Sequence, residues 1–366
     1  MERRKKIRIA AAAAAVGIAV RCGGMAAGFG MPGAHRGPPQ KDMRIDAATR
    51  AEVVGAIVDN ITRYYVYPEQ AARMSARLQA QLKHGDFDAI TSANEFADAL
   101  TQSLRQDNHD RHLEVGYSED VIPVPQAGQE DSPDDAAAFL AERRRFNFGF
   151  ETVGRLPCDI GYLDLHEFGR PEQVESRLEA AMTLLSDTRA LIIDLRRTHG
   201  GDPDTVMMFA SYLYDKRTHL NDIWFRDENR LEERWTTDTV RGIRYGQSRP
   251  VVLLTSEDTF SAGEDFAYAL KNNGRAVLIG ETTGGGAHPG NRHRLAAHFE
   301  MNVPSGRTIS PVTQGDWEGV GVTPDVRASA SKSLAVAQVA LLKKLLAGET
   351  EPEWQAKIRD RISDLN

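Results

Sequence analysis

The stretch PVVLLTSEDTFSAGEDFAYALKNNGRAVLIGETT, residues 250–283, decides the fold of this chain. It begins with a nearly all-apolar run at 250–256, which is typical of a strand covered on both faces of a parallel sheet. A helical pattern follows over 262–273, and a second apolar strand pattern covers 275–283. Because a strand, a helix and a strand in this order form a βαβ unit, the stretch predicts an α/β fold.

The same alternation extends towards the N-terminus. Strand patterns at 158–168 and 189–197 alternate with helical patterns at 174–187 and 203–213. Helices that alternate with apolar strands lie on the faces of a mostly parallel sheet. We therefore expect these strands to join one central sheet.

Other segments flank this predicted core. Residues 45–105 predict three helices, and the third begins with a capping box because Glu95 stands three residues after Ser92. Residues 299–311 predict a hairpin at the edge of the sheet. Residues 332–348 predict a long amphipathic helix near the end of the chain.

The first residues have the layout of an export signal. Residues 1–8 are basic, and an apolar run of alanine-rich sequence follows at 9–20. This run is shorter than the roughly 20 apolar residues that a membrane span needs, so we expect no membrane span once the signal is removed. A disordered basic tail, or a start codon assigned too early, is the alternative. Residues 31–42 are rich in proline and glycine and predict a linker.

The composition narrows the function classes. A chain of 366 residues with 41% hydrophobic and 27% charged residues is long and apolar enough for a globular core. The net charge of −7 does not indicate the basic surface that nucleic-acid binding requires, so we expect no nucleic-acid partner. The two cysteines, Cys22 and Cys158, cannot build a disulfide framework or a Cys-x-x-Cys metal site.

Ser261 stands between a predicted strand and its helix. In open α/β sheets ligands bind beyond the carboxyl ends of the strands. A helix N-terminus there offers free backbone N–H groups, from which an oxyanion hole can be made. Ser261 is therefore a candidate nucleophile. Because Glu264 follows three residues later, the pair also matches a plain capping box, and the local pattern leaves both interpretations open.

Two glycine-rich turns follow buried strands. Gly200 and Gly201 end the strand in IIDLRRTHGGDPDTV, and paired glycines let a backbone approach a ligand and expose an N–H group. A plain turn into a helix is the alternative. The loop ETTGGGAHPGN carries His288, which could bind or titrate, whereas a surface position is the alternative. A G-x-G-x-x-G motif is absent from the sequence, and we expect no cofactor.

Two further segments carry ionisable side chains. In DNHDRHLEV, His109 and His112 lie on either side of Asp110, and a histidine is suited to act as a general base because its pKa is close to neutrality. Since no further cluster at metal spacing accompanies them, we expect no metal. In DWEGVGVTPDV, Glu318 could orient an imidazole, and a solvated turn acid is the alternative.

Together these segments resemble a known family. In chain order, DRHL, GYLDL, IIDLRRTHGG, TFSAGEDFAYALKNNGRAVLIGETTGGG and WEGVGVTPDV are similar to the tail-specific, or carboxyl-terminal processing, serine peptidases. Within that family the sequence resembles the branch of the tricorn core protease and interphotoreceptor retinoid-binding protein. The resemblance covers about residues 45–345. It implies an α/β fold with a ClpP/crotonase-like core and an N-terminal helical bundle. The 45 or so residues between Leu113 and Cys158 leave no room for the PDZ domain that many members carry.

The resemblance also implies roles for individual residues. It implies Ser261 as nucleophile, His112 as general base and Glu318 as the carboxylate that orients the base. One branch uses a lysine where this chain has Gly286, so a Ser-Lys dyad is not expected. The tricorn member has a serine where Arg111 precedes the histidine here, which is a departure from its pattern.

We assign the remaining roles as hypotheses from the same comparison of motifs. The N–H of Ala262 and one N–H from Gly200 or Gly201 would form the oxyanion hole. His288, and after it His109, is the reserve base in case His112 points away. We assign no residue as a metal ligand.

The sequence therefore predicts five segments and one function. The segments are a signal segment (1–30), a linker (31–42), an N-terminal helical domain (43–110), a peptidase-like α/β core (111–348) and a C-terminal tail (349–366). The predicted function is an exported, periplasmic or extracellular, serine-type peptidase that acts on peptides or proteins, and it could form an oligomer. One alternative is a non-catalytic binder of an apolar, retinoid- or fatty-acid-like ligand in the same fold. Another is an interaction domain without activity.

Overall fold

The computed structural model describes residues 40–106, 108–124 and 133–366, with side chains from 137 onwards in the last range. The predicted signal segment and all but the last three residues of the predicted linker lie outside these ranges. Within the described ranges, no helix combines the length and the apolar character that crossing a membrane requires.

Seven of the helices that the structure describes match predicted helical patterns, whereas those at 133–145 and 352–365 were not predicted. In chain order, the described helices are α1 (Ala47–Tyr64), α2 (Pro68–His84), α3 (Ala93–Arg105), α4 (Pro133–Arg145), α5 (Pro171–Leu185), α6 (Pro203–Ser211), α7 (Ala262–Asn272), α8 (Ala330–Ala347) and α9 (Pro352–Leu365). The N-terminal unit consists of α1 to α3. As predicted, the hydroxyl of Ser92 caps α3 by accepting the N–H of Glu95 at 3.1 Å. Gly85 ends α2 in the left-handed conformation that favours glycine.

The strands form a central sheet and two small ones. In chain order they are β1 (Glu114–Tyr117), β2 (Phe150–Leu156), β3 (Ile160–Leu165), β4 (Ala190–Asp194), β5 (Asp222–Phe225), β6 (Arg230–Glu232), β7 (Val251–Thr255), β8 (Val277–Gly280), β9 (Gly290–Ala296), β10 (Phe299–Pro304), β11 (Gly306–Ile309) and β12 (Val326–Arg327). The central sheet has the order β12-β8-β7-β4-β3-β2, and only β2 runs antiparallel to its neighbour.

Both faces of the central sheet are covered, which explains its all-apolar strands. On β4, the side chains of Leu191 and Ile193 enter the core formed with α5, α6 and α7. Ile192 between them enters the core formed with α8 and α9 on the other face, because neighbouring strand residues point to opposite sides. Full burial of each such side chain contributes about 1.5–3 kcal/mol. The mixed α/β class and the helical N-terminal unit are thereby confirmed.

One predicted element is wrong. Residues 299–311 do not form a hairpin, because β10 pairs with β1 and β9, whereas β11 pairs with β5 in another sheet. The amides of Ser305 and Gly306 both donate to the carbonyl of Pro289, and this contact carries the chain from one sheet to the next. The alternating pattern predicted the strands, but not their partners.

The segments around the core agree with a fold that lacks a PDZ domain. Between β1 and β2, the residues that the structure describes contain α4 and a short 3-10 turn, with no PDZ-sized unit. Residues 349–366, the predicted tail, contain α9, which packs on α8 through the fully buried Ile358.

Candidate active site

Ser261 lies in a turn that two neighbouring strands hold in place. Its φ of 52° and ψ of −118° are unusual for a residue other than glycine, and such backbone strain is concentrated at functional sites. The turn is tied to the segment after β4, since Thr259 Oγ1 donates to the carbonyl of Leu195 at 2.7 Å. The amide of Phe260 likewise donates to the carbonyl of Thr198 at 2.9 Å. Because β4 and β7 are adjacent, these bonds bring the two predicted turns together.

The paired glycines lie directly against this serine. A Cβ atom added to Gly200 would lie 2.9 Å from Ser261 Cβ and 3.3 Å from its Oγ. Gly200 and Gly201 have φ values of 114° and 135°, which favour glycine. Within the described part of the chain, the backbone N–H groups of Gly200, Gly201 and Ala262 donate no hydrogen bond. These groups are the donors that an oxyanion hole requires.

His112 reaches Ser261 from the turn between α3 and β1. The two atoms that matter, His112 Nε2 and Ser261 Oγ, lie 3.1 Å apart. The backbone of the histidine is fixed on both sides, because its N–H donates to Asp110 Oδ1 at 3.0 Å and its carbonyl accepts from Asn302 Nδ2 at 2.8 Å. The ring packs against Phe260 with their centroids 4.7 Å apart. The structure thus holds an imidazole within hydrogen-bond reach of the serine.

Glu318 approaches the same histidine from the loop after β11. Its Oε2 accepts the N–H of Ala287 at 2.6 Å, and its side chain is 12% exposed. In the described part of the chain, Glu318 Oε1 and His112 Nδ1 are both buried and have no hydrogen-bond partner. One nitrogen of His112 and one carboxylate oxygen each of Asp110 and Glu318 lie within 4.8 Å of one another. An unsatisfied buried polar atom costs about 1–3 kcal/mol, and these two unpartnered atoms are complementary donor and acceptor types.

Asp110 and His288 extend this polar cluster. Asp110 is 1% exposed, and its Oδ2 lies 3.1 Å from both the hydroxyl of Tyr65 and Nδ1 of His288. His288 Nδ1 also lies 3.4 Å from Glu318 Oε2. A cavity of about 310 Å³ adjoins the cluster, and polar groups line it: Tyr65, Tyr67, Gln70, Asn108, Asp110, His288 and Glu318.

The spacing of Asp110, His112 and Glu318 also raises the question of a metal. Both oxygens of Asp110 already accept hydrogen bonds, and His288 takes the position beside Glu318 Oε2. A protonated His288 at this position supplies a positive charge next to both carboxylates. The arrangement is therefore better described as a hydrogen-bonded network of charged groups.

Glu264 does more than cap α7. Its carboxylate is fully buried, and Oε2 accepts the N–H of Ser261 at 3.0 Å and of Gly286 at 2.8 Å. Oε1 accepts the N–H of Gly285 at 2.7 Å and the hydroxyl of Thr283. One side chain thus joins the nucleophile turn to the glycine-rich loop. Ser261 and Glu264 also form the capping box that the sequence predicts, and the N–H of Glu264 donates to the backbone carbonyl of Ser261 at 2.8 Å.

Burial perturbs the pKa values of these groups. Desolvation lowers the pKa of His112 to about 4, although the charge of Asp110 opposes the shift. Desolvation raises the pKa of Glu318 above its ordinary range, and the negative charge of Asp110 adds to this effect. It also raises the pKa of Glu264 to about 7, against four hydrogen bonds that lower it. A neutral imidazole at pH 7 is the state that a general base requires.

The predicted site residues separate into two groups. The structure brings Ser261, His112, Glu318 and the oxyanion candidates to one place. His109 is exposed, and within the described residues it makes no side-chain hydrogen bond or ion pair with this cluster. His288 is 3% exposed, so the alternative of a surface position is wrong. Its two ring nitrogens face Asp110, Glu318 and Tyr67, not Ser261, so it is not placed as the reserve base.

Two contributors were not recognised in the sequence. Asp110 appeared there only as a metal candidate, and Glu264 only as a cap. The single available signal for Glu264 was its Ser-x-x-Glu spacing, since its contacts with Gly285 and Gly286 join residues more than twenty positions apart.

Comparisons with known proteins agree with this architecture. Residues 159–328 match the model of peptidase family S41, and residues 47–144 match that of the N-terminal domain of this peptidase in eukaryotic IRBP. The chain is 30% identical over 172 residues to carboxyl-terminal-processing peptidase 2, chloroplastic, of Arabidopsis thaliana, covering 45% of this chain and 31% of that protein. It is 24% identical over 202 residues to a carboxyl-terminal-processing protease of Picosynechococcus sp., covering 54% and 44%. The chain therefore matches less than half the length of these relatives.

A solved structure has a similar fold. A lipoprotein from Streptococcus agalactiae superimposes with a TM-score of 0.55 at 14% identity, covering 84% of this chain and 98% of that one. At this identity the similarity concerns the fold alone.

Proposed function

Because the chain belongs to peptidase family S41, we propose that it is a serine peptidase in which Ser261 attacks the peptide bond. The observation that carries the proposal is the 3.1 Å distance between Ser261 Oγ and His112 Nε2. It is supported by the unusual backbone conformation of the serine and by the lowered pKa of the histidine. The strained backbone is typical of a nucleophile on a sharp strand-to-helix turn, and the lowered pKa leaves the imidazole neutral and able to accept a proton at pH 7.

In the proposed acylation step, Ser261 Oγ forms a bond to the carbonyl carbon of the substrate while His112 Nε2 takes the hydroxyl proton. The carbonyl electrons move onto oxygen, and the N–H of Ala262 and one from Gly200 or Gly201 stabilise the oxyanion. Each such donor typically contributes about 3 kcal/mol to transition-state stabilisation. His112 then returns the proton to the leaving amine, and an acyl-enzyme remains.

In the proposed deacylation step, His112 takes a proton from water, and the hydroxide attacks the ester carbon. Ser261 leaves and regains the proton, which releases the new carboxylic acid. During both steps Glu318 stabilises the imidazolium through Nδ1, either directly or through one water molecule. The unpartnered His112 Nδ1 and Glu318 Oε1 support this role.

The test is hydrolysis of casein and of a fluorogenic peptide library by the unsubstituted protein and by S261A. We expect activity in the former and none above background in S261A, with an unchanged unfolding temperature. The matched control is S248A, because Ser248 is an exposed loop residue, and it should retain full activity. Cleavage by S261A at the rate of the unsubstituted protein would exclude Ser261 as nucleophile.

Binding of an apolar ligand without catalysis is the second candidate function, and it has less support. The cavity beside Glu318 is lined by polar groups, which suits neither a retinoid nor a fatty acid at that place. We also propose that the protein is exported, on the basis of the basic and apolar segments at residues 1–20. Cell fractionation tests this, and recovery of an uncleaved N-terminus in the cytoplasm would contradict it.

A further inference from the structure

His288 occupies a position in the cluster that the proposed chemistry leaves unassigned. Its imidazole is 3% exposed and lies between two carboxylates. Nδ1 is 3.1 Å from Asp110 Oδ2 and 3.4 Å from Glu318 Oε2, and Nε2 is 3.4 Å from the hydroxyl of Tyr67. Both ring nitrogens thus face oxygen atoms that can accept a hydrogen bond, which favours the imidazolium.

A positive charge at this place stabilises the ionised forms of Asp110 and Glu318. Asp110 is fixed in its charged form by three donors, the N–H of His112, the hydroxyl of Tyr65 and His288 itself. Glu318 lies close enough for the negative charge of Asp110 to disfavour a second negative charge. When two carboxylates share a buried site, one of them stays protonated unless a positive charge compensates.

This inference rests on the proposed function. We propose that His288 is a positioning residue: as an imidazolium it bridges Asp110 and Glu318 and thereby increases the ionised fraction of Glu318, the form that can stabilise protonated His112. A protonated Glu318 could not offer the imidazolium a negative charge. His288 therefore acts on the reaction through Glu318 and touches neither Ser261 nor the substrate.

The charged groups around His288 are consistent with this role. Burial by itself lowers the pKa of His288, but the hydrogen bond to Asp110 and the charges of Glu318 and Asp110 outweigh burial and raise it. The titratable and charged groups that face His288 or Glu318 are Asp110, His112, Asp316, Tyr65, Tyr67 and, beside Tyr67, Arg307. The nearest of them to His288 Nδ1 are the two carboxylates.

The first experiment compares pH profiles of kcat and KM for the unsubstituted protein and H288Q. We expect kcat of H288Q to be about tenfold lower at pH 7. Burial raises the pKa of Glu318 to about 8, so the group is mostly protonated at pH 7, and a further rise of about 1 in its pKa lowers its ionised fraction about tenfold. KM should stay within about twofold, since His288 lies outside the reacting atoms. Activity of H288Q should recover as the pH rises and Glu318 ionises. The matched control H84Q changes an exposed histidine and should leave the profile unchanged.

A second variant separates charge balance from simple loss of packing. In H288Q/D110N the competing carboxylate is neutral, so Glu318 no longer needs the cation, and kcat at pH 7 should rise above that of H288Q. A loss in H288Q that is equal at every pH, with no recovery in the double variant, would overturn the proposal. So would a kcat of H288Q within twofold of the unsubstituted protein at pH 7.

A spectroscopic readout keeps this test independent of activity. Carboxyl carbon NMR of the full chain should give a pKa for Glu318 that is higher in H288Q by about 1 or more. An unchanged pKa would overturn the proposal. If the unsubstituted protein hydrolyses nothing, the proposed function fails while this readout still decides the role of His288. If H288Q does not fold, imidazole NMR of the unsubstituted protein decides instead: a His288 that is already neutral at pH 6 would overturn the proposal.

Discussion

Replacing Gly200 by alanine tests the proposed oxyanion hole. The added Cβ would lie 3.3 Å from Ser261 Oγ and 3.6 Å from the amide nitrogen of Ala262. This is the space between the attacking oxygen and a proposed oxyanion donor. The methyl group would thus occupy the position that the substrate carbonyl oxygen needs in the transition state, while the N–H of residue 200 and all proposed catalytic side chains stay in place.

The expected magnitude has two parts. Blocking one oxyanion donor costs about 10²–10³ in kcat, or about 2.7–4 kcal/mol of barrier. A residue other than glycine at the φ of 114° found at Gly200 adds about 1–3 kcal/mol of strain, which lowers the free energy of unfolding. The contact at 2.9 Å with Ser261 Cβ adds to this strain because neither atom is at the end of a flexible side chain.

The assay is steady-state hydrolysis of a fluorogenic peptide, together with urea unfolding. G200A should show the loss in kcat at nearly constant KM, which identifies an interaction made in the transition state. The matched control is G154A, because a Cβ added to Gly154 meets no atom within 4 Å. A kcat of G200A within twofold of the unsubstituted protein would refute the placement of the oxyanion hole.

Two other predictions follow from the same cluster. In E264Q, an amide NH₂ replaces one of the two oxygens that accept the N–H groups of Gly285 and Gly286. The free energy of unfolding, measured in urea, should therefore fall by about 1–3 kcal/mol. The control E52Q changes an exposed glutamate and should leave it unchanged. Because burial lowers the pKa of His112 to about 4, kcat/KM should fall only as the pH drops well below 6.5, the ordinary value for histidine. A midpoint at or above pH 6.5, measured with a substrate that does not titrate, would contradict the second prediction.

Periodicity in the sequence predicted seven of the described helices and the apolar strands of the sheet centre, whereas α4, α9 and strands such as β2, β5 and β9 were not predicted. The apolar runs at β4, β7 and β8 predicted strands because both faces of the sheet are buried, and the helical pattern after Ser261 predicted α7. The sequence did not predict which strands pair with β10, because strand alternation indicates which face is buried and nothing about the neighbouring strand.

The same limit applies to the candidate site. The motifs and their resemblance to a family predicted that Ser261, His112 and Glu318 belong to one site, and the structure places them close in space. The contact between Asp110 and His288 spans 178 positions, so no spacing in the sequence encodes it. The glycine-rich sequence around His288 is typical of an exposed loop, and its burial becomes visible only in the folded structure.

Activation of Ser261 by His112 is the central claim, and labelling with a fluorophosphonate probe tests it most directly. Such a probe reacts with an activated serine, and mass spectrometry locates the adduct. We predict one adduct on Ser261 in the unsubstituted protein at pH 7, and labelling reduced to background in folded H112Q. An adduct on another residue, or equal labelling of Ser261 in H112Q, would contradict the claim.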